Sequence, residues 1–142
     1  MNISEQDRAR LALYGAEVKH EYTDDILTFY MARAIDKSDG GFYGYIADNL
    51  KVKQRAAKAL IQNTRILWAY AQASRVLIDD AGYANTATVA YQYLTRCFWD
   101  EQHGGLYWML DHRGRPTITR KMVYGQAFGI YAFAEYYLAT GS

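Results

Sequence analysis

Near the start of the chain, apolar residues recur in steps of three and four: Leu11, Tyr14, Val18, Tyr22, Ile26 and Phe29. That period predicts a long first helix, opened by Ser4 with Asp7 three residues on and re-capped at Thr23 and Asp24. It ends before DKSDGG, whose Gly and Asp residues predict a turn. Phe42, Tyr43, Tyr45 and Ile46 form a β-prone stretch too short for a central strand, followed by a turn at ADN. A second helix is predicted from about Val52 to Ile78, with Leu60, Leu67, Ala71 and Ser74 on one stripe and Ile61, Trp68 and Gln72 beside it. A third, about Tyr83 to Phe98, carries Ala84, Ala87, Tyr91, Leu94 and Phe98 at helical spacing. DEQHGG breaks it. LYWMLDHRGRPT predicts two short strands around an Arg113-Gly114 turn, with the chain's one proline, Pro116, where no helix is wanted. A last helix, about Lys121 to Ala139, stops at Gly141.

The order helix, Gly-Gly hairpin, helix is written twice. GGFYGYI, from Gly40 to Ile46, returns 64 residues later as GGLYWML, from Gly104 to Leu110. A shift of 63 aligns Lys58 with Lys121, Leu67 with Ile130, Trp68 with Tyr131, Ala69 with Ala132, Tyr70 with Phe133 and Ala71 with Ala134. An internal repeat of about 63 residues, around 40–78 and 104–141, is the signature of stacked helical hairpins, none of which buries its apolar face without neighbours. Closed into a ring, such hairpins make an α/α toroid. Six of them need roughly 380 residues, and the 142 here hold little over two. The expected fold is therefore one all-α domain over residues 1–142, a fragment of a six-hairpin barrel with short β-hairpins in its Gly-Gly loops.

Composition narrows the partner. With 51% hydrophobic and 22% charged residues, the chain reads as one globular domain. Its net charge of +1 creates no field that favours nucleic acid or an acidic membrane. No apolar run approaches the roughly 18 residues that span a bilayer. Cys97 is the only cysteine and the start MNISEQDRAR lacks a secretory pattern, so the expected setting is cytoplasmic. Tyrosine outnumbers phenylalanine 14 to 5. Buried hydroxyls need partners, which suits a cavity that meets sugars and equally suits helix seams whose hydroxyl tips reach water.

Two helices carry candidate chemistry. In KALIQNTRILWAYAQA, from Lys58 to Ala73, the polar residues Gln62, Asn63 and Arg65 interrupt an apolar helix, and Arg65 shares a stripe with Ile61, Trp68 and Gln72. Two readings stand: Arg65 snorkels or pairs with a structural acid such as Glu135, or it offers its fork of donors to substrate oxygens. In KMVYGQAFGIYAFAEYY, from Lys121 to Tyr137, the residues Tyr124, Tyr131 and Glu135 lie near one stripe, a pattern more often core than ligand site. Gly125 and Gly129 permit either close helix packing or a close ligand, at about 1 kcal/mol each against Ala. His20, His103 and His112 have no metal-ligand spacing and no acidic cluster around them, so no metal is expected. The chain has no phosphate loop, no nucleophile elbow and no basic stripe interleaved with aromatics, which removes nucleotides and nucleic acids.

Taken together, DGGFYGYI, KALIQNTRILWAYAQASRVL, FWDEQHGGLYWMLDHRGRPTITRK and YGQAFGIYAFAEYYLATG resemble the N-terminal part of the cellobiose 2-epimerases, a branch of the N-acylglucosamine 2-epimerase family. The likeness runs from Leu11 to Gly141. It implies an (α/α)6 barrel, an isomerase that interconverts the reducing-end glucose and mannose of β-1,4-linked disaccharides such as cellobiose, without metal or redox cofactor. One histidine removes the proton on carbon 2, an enediolate forms, and a second histidine returns a proton to the opposite face. The arginine of the family's N-x-R-x-L-W motif holds the developing oxyanion, and that position is Arg65; a tyrosine opening the Y-x-Q-A-F helix lines the pocket, and that position is Tyr124. Asn63 and Trp68 belong to the first motif as substrate-binding supports. The family's catalytic histidines lie on later hairpins, and none of His20, His103 or His112 falls on their motifs. The resemblance thus implies a fragment that is inactive alone, with uncovered helix faces open to self-association. N-acylglucosamine 2-epimerase itself is the near alternative, which GGLYWMLD and YGQAFGIYAFAEYY favour less. A non-catalytic helical-hairpin module that binds carbohydrate or protein is another, and a prenyltransferase or terpene cyclase toroid would require a zinc site or acidic cluster that this sequence lacks.

Overall fold

The structure, a computed structural model, describes residues 3–77 and 82–141. The chain divides into two units, one ending at Ala34 and the other starting at Ile35. In the first, the Ser4 hydroxyl accepts the Asp7 backbone N–H at 3.1 Å and caps α1 (Glu5–His20). Acidic Glu5 and Asp7 in its first turn, with Lys19 and His20 in its last, complement the helix dipole. The re-cap expected at Thr23 and Asp24 does not form. The helix widens instead into a π-helical stretch, Glu21–Leu27, and continues as α2 (Thr28–Arg33). The Thr23 hydroxyl donates back to the Lys19 carbonyl at 3.0 Å and Asp24 meets His20 Nδ1 at 2.6 Å, so both side chains serve the running helix rather than a new start. Leu11, Tyr14, Val18 and Ile26 of the predicted stripe are exposed, and α1 buries no residue.

The second unit is mostly helical with a small three-stranded sheet. It runs β1 (Lys58–Ala59), α3 (Leu60–Val76), α4 (Tyr83–Tyr93), a π-helical turn (Leu94–Phe98), β2 (Met109–Leu110), β3 (Pro116–Ile118) and α5 (Val123–Thr140). The second predicted helix therefore begins at Leu60 and not near Val52. The preceding segment spends its backbone groups elsewhere: Lys53 N–H donates to the Tyr45 carbonyl at 3.0 Å, and Lys58 and Ala59 pair with Leu110 and Met109. Ile78 lies outside the described residues. The sheet is antiparallel in the order β1-β2-β3, with a bulge at Met109/Leu110, Pro116 opening the edge strand, and Gly114 at φ +83 in the turn between β2 and β3. The Phe42–Ile46 stretch makes only isolated bridges, Ile35 with Phe42 and Ile46 with Val52. The last helix stops where expected: Gly141 takes φ +73 and its N–H donates to the Tyr137 carbonyl at 2.7 Å. No helix among the described residues is long and apolar enough to cross a membrane.

Helix α3 packs on both α4 and α5. Leu60, Leu67, Tyr70 and Ala71 from α3, with Ala87, Ala90 and Leu94 from the α4 segment, supply the core. Gly125 and Gly129 are there for packing: a Cβ on the first would lie 2.8 Å from Leu60 Cδ2, and one on the second 2.4 Å from Leu106 Cδ1.

The two Gly-Gly loops share one hydrogen-bond pattern. Asp36 Oδ1 accepts the backbone N–H groups of Ser38 and Asp39, both at 3.0 Å, and Asp100 Oδ1 accepts those of Gln102 and His103 at 3.0 and 3.1 Å. In each loop the aspartate N–H donates to the second glycine's carbonyl, and the first glycine's N–H donates to the aspartate's carbonyl. The other carboxylate oxygen takes a lysine: Lys58 Nζ stands 2.8 Å from Asp36 Oδ2, and Lys121 Nζ bonds Asp100 Oδ2. Lys58 also donates to the Gly40 carbonyl at 2.6 Å, and its pair with Asp36 is wholly buried. Burial opposes the charge on Asp36, but Lys58 and the two backbone N–H groups outweigh it and hold the carboxyl below its usual range. Asp100 is held low as well, first by the hydrogen bond from Lys121.

Candidate functional site

Helices α3 and α5 run in the same direction, so early residues of one meet early residues of the other. Arg65, Trp68 and Ala69 from α3 and Phe128 and Tyr131 from α5 line a groove of about 330 Å³. The Trp68 and Tyr131 rings stack with centroids 5.2 Å apart and planes 16° apart. The Arg65 guanidinium carbon sits 5.2 Å from the centre of the Phe128 ring, and Tyr124 meets the same ring edge-on at 4.9 Å. Steps of three and four along each helix place these side chains on one face.

Arg65 is exposed and, among the described residues, makes no hydrogen bond or ion pair. Among the described residues, the pairing of Arg65 with Glu135, one of the two readings open from the sequence, does not form. Glu135 lies further along α5 and accepts Arg75 Nε at 2.8 Å, because helices that run together match late residues with late residues. The guanidinium thus presents unused donors at the edge of an aromatic groove. Trp68 lines the groove, and its buried Nε1 has no hydrogen-bond partner among the described residues. Asn63 is fully buried and does not line the groove; its amide donates to the Ala59 carbonyl at 2.8 Å and its Oδ1 has no partner among the described residues. Tyr124 is half exposed and meets the groove through Phe128. Phe128 was not singled out in the sequence, although its position four after Tyr124 and three before Tyr131 marks it.

Neither His103 nor His112 is among the residues that line the groove. His20 pairs with Asp24 in the first unit, His103 Nδ1 lies 3.6 Å from Asp100 Oδ2, and His112 lines a polar cleft of about 200 Å³ with Asp39, Arg55 and Arg113. A cavity of about 470 Å³ lined by Tyr91, Thr95, Trp99, Glu101, Phe133 and Tyr136 contains none of the expected residues. Among the described residues, no group of three or more His, Cys, Asp or Glu side chains is placed to hold a metal ion.

Comparison with known proteins gives a consistent set. The family model for N-acylglucosamine 2-epimerase (GlcNAc 2-epimerase) matches residues 41–142. The cellobiose 2-epimerase of Bacteroides fragilis is 42% identical over 125 residues, covering 88% of this chain and 32% of that protein. A D-mannose isomerase of Marinomonas mediterranea is 31% identical over 114 residues, 80% of this chain and 28% of that one. The solved cellobiose 2-epimerase of Spirochaeta thermophila superposes with a TM-score of 0.90 at 33% identity, over 98% of this chain and 34% of its own. That of Bacillus thermoamylovorans gives 0.87 at 42% identity, over 92% and 33%. The chain spans about a third of the length of the relatives it matches. A family model covering most of the sequence and relatives that agree with it in three dimensions lead to one conclusion: the chain belongs to the N-acylglucosamine 2-epimerase family.

Proposed function

We propose that this chain forms part of a sugar 2-epimerase built as an α/α toroid, which interconverts the glucose and mannose reducing ends of β-1,4-linked disaccharides. One observation carries the reading: an arginine with unused donors faces an aromatic groove between two helices that run together. The 63-residue shift gives it weight. Phe128 is the counterpart of Arg65 and Tyr131 of Trp68, so the groove is lined by equivalent residues of residues 40–78 and 104–141, read here as successive hairpins. An apolar position in one copy is a guanidinium in the other. Local departures from an otherwise regular pattern are where function is expected.

Loss of the proton on carbon 2 of the open-chain sugar moves negative charge onto the carbonyl oxygen of carbon 1, and a planar fork of donors holds such an oxyanion better than an ammonium does. The Trp68 and Tyr131 rings offer apolar faces to a sugar ring, with Tyr124 beside them. Among the described residues of the second unit, neither His103 nor His112 lines the groove, and on this reading the proton-transfer groups are supplied by another part of the assembled enzyme. Relatives named cellobiose 2-epimerase at about 40% identity favour a disaccharide over free mannose.

The test is a chimera in which this chain replaces the matched third of the Bacteroides fragilis protein, incubated with cellobiose and followed by NMR for a mannose reducing end. Arg65→Ala is expected to lower kcat/KM by roughly 10²–10³, the range for a lost oxyanion donor, with partial recovery in Arg65→Lys. An active chimera indifferent to Arg65→Ala removes the assigned role. A chimera that converts free mannose to fructose and leaves cellobiose alone replaces epimerase with aldose isomerase.

A further inference from the structure

We propose that Phe128 is a positioning residue: its ring holds the Arg65 guanidinium at the edge of the groove while leaving the donors of that group free for the sugar's oxygens. The guanidinium carbon stands over the ring, 5.2 Å from its centre. Among the described residues Arg65 has no hydrogen bond or ion pair, so the ring is what fixes the end of a long side chain that otherwise turns freely in water. The chemistry of the partner matters. A carboxylate in that place would accept N–H donors and cancel the charge, as Glu135 does for Arg75 further along the same two helices. An aromatic ring attracts a cation through its quadrupole and takes no full hydrogen bond, so both the charge and the fork remain available to an oxyanion.

The ring is itself held. Phe128 is half-buried, and Tyr124, one turn earlier, meets it edge-on with ring centres 4.9 Å apart and planes at 62°. Gly125 and Gly129 lie on either side of it and are buried; a Cβ on the first would strike Leu60 and one on the second Leu106, so their bareness seats α5 where the ring can reach Arg65. Tyr124 then acts on the groove by bracing Phe128. Both halves of the contact come from α3 and α5, and by the 63-residue shift the arginine rests on its own counterpart. What Arg65 does in this scheme rests on the sugar 2-epimerase reading, whereas what holds it rests on the geometry of the two helices.

Two measurements test this, one of them without activity. In the NMR spectrum of the purified chain, the ring current of Phe128 should shift the Arg65 Nε–H proton upfield, and Phe128→Leu should remove the shift. In the chimera, Phe128→Leu should lower kcat by roughly 2- to 30-fold, the range of one cation–π contact, with KM within about twofold, because the donors act on charge that develops in the transition state. Phe128→Tyr, which keeps the face of the ring, should recover most of that loss. Mono-, di- and trifluorophenylalanine at position 128 keep the shape of the ring and drain its quadrupole, so kcat should fall step by step along the series, where packing alone would leave it flat. In an Arg65→Ala chimera, Phe128→Leu should cost nothing further. An unshifted Arg65 Nε–H, a flat fluorine series, or a full additional loss on top of Arg65→Ala each overturns the proposal. An Arg65→Ala chimera as active as its parent, with the ring-current shift intact, overturns the oxyanion role and with it the use of the contact while the contact itself stands, so the two failures are told apart.

Discussion

Replacing Lys58 with methionine keeps the length and apolar stem of the side chain but removes the cation, leaving the Asp36 carboxylate buried without its partner. Lys58 Nζ donates to Asp36 Oδ2 at 2.8 Å and to the Gly40 carbonyl at 2.6 Å, with both members of the ion pair essentially inaccessible. Removing one partner of such a pair costs about 3–5 kcal/mol, a large share of the 5–15 kcal/mol that holds a domain together. At a urea slope of about 1.5 kcal/mol/M the midpoint falls by roughly 2–3 M. The assay is convenient because Trp68, Trp99 and Trp108 all lie in the second unit, so their fluorescence reports it alone. The pH dependence supplies a second check with a definite sign. In the native chain Asp36 titrates below its usual value, so its contribution is present above the unfolded pKa of about 3.9 and fades as pH falls. In Lys58→Met the lone buried carboxylate titrates above that value, so the variant loses stability as pH rises through its folded pKa. The gap between the two midpoints should therefore narrow on acidification, and adding Asp36→Asn should recover part of the loss. A loss at neutral pH below about 1 kcal/mol, the range of an exposed pair, or a gap that does not change with pH, would refute the argument.

Gly41→Ala should destabilise far more than Gly104→Ala. Both glycines have positive φ, +67 and +69, but a Cβ on Gly41 would sit 2.5 Å from the Tyr93 ring, while Gly104 has open space. Left-handed strain of about 1–2 kcal/mol applies to both, and only Gly41 adds an overpacking cost of about 1–3 kcal/mol; urea midpoints compare them directly. Tyr93→Phe should be neutral or stabilising by up to about 1 kcal/mol, because the buried Tyr93 hydroxyl has no partner among the described residues; a clear fall in melting temperature would show that it has one. Arg65→Ala should change stability by less than about 1 kcal/mol, since its ring contact with Phe128 is exposed, so a loss of activity in the chimera could be assigned to the site. The depressed carboxyls predict the acid limb. Asp111, lowered to about 2 first by the Arg115 backbone N–H, acts with Asp36 and Asp100, so stability is present above the unfolded carboxyl pKa and declines as pH falls from about 4 towards 2.

Features set by nearby residues were legible in the sequence. Ser4 with Asp7 opens α1, Gly141 closes α5, and Arg113-Gly114 turns the second hairpin, each through contacts within a few residues. What was illegible depends on distant partners. KVKQRAAKAL reads as helix because nothing local shows that Lys58 bonds an aspartate 22 residues back, or that Ala59 pairs with Met109. The π-helical stretches also escaped, since an apolar period of three to four does not register one extra residue in a turn. Arg65 could be placed on a stripe, but choosing Phe128 over Glu135 as its neighbour required the relative direction of two helices.

That direction and its register follow from the glycine loops. Lys58 and Lys121 stand 63 residues apart, each tied to the aspartate of its own loop, and α3 and α5 start two residues after them. Both helices thus begin at the same distance from the lysine that is tied to their own loop. Arg65 and Phe128, Trp68 and Tyr131 are also pairs 63 residues apart, and they are the pairs that meet across the groove. A shift of one residue would rotate either partner by about 100° and leave the stack unmade. The lysine–aspartate contacts thus act on the candidate site as well as on stability, by fixing where each helix begins. A Lys58 variant that still folds should therefore lose the Trp68–Tyr131 stack in proportion to how far the start of α3 moves, and with it the position from which Arg65 faces the groove.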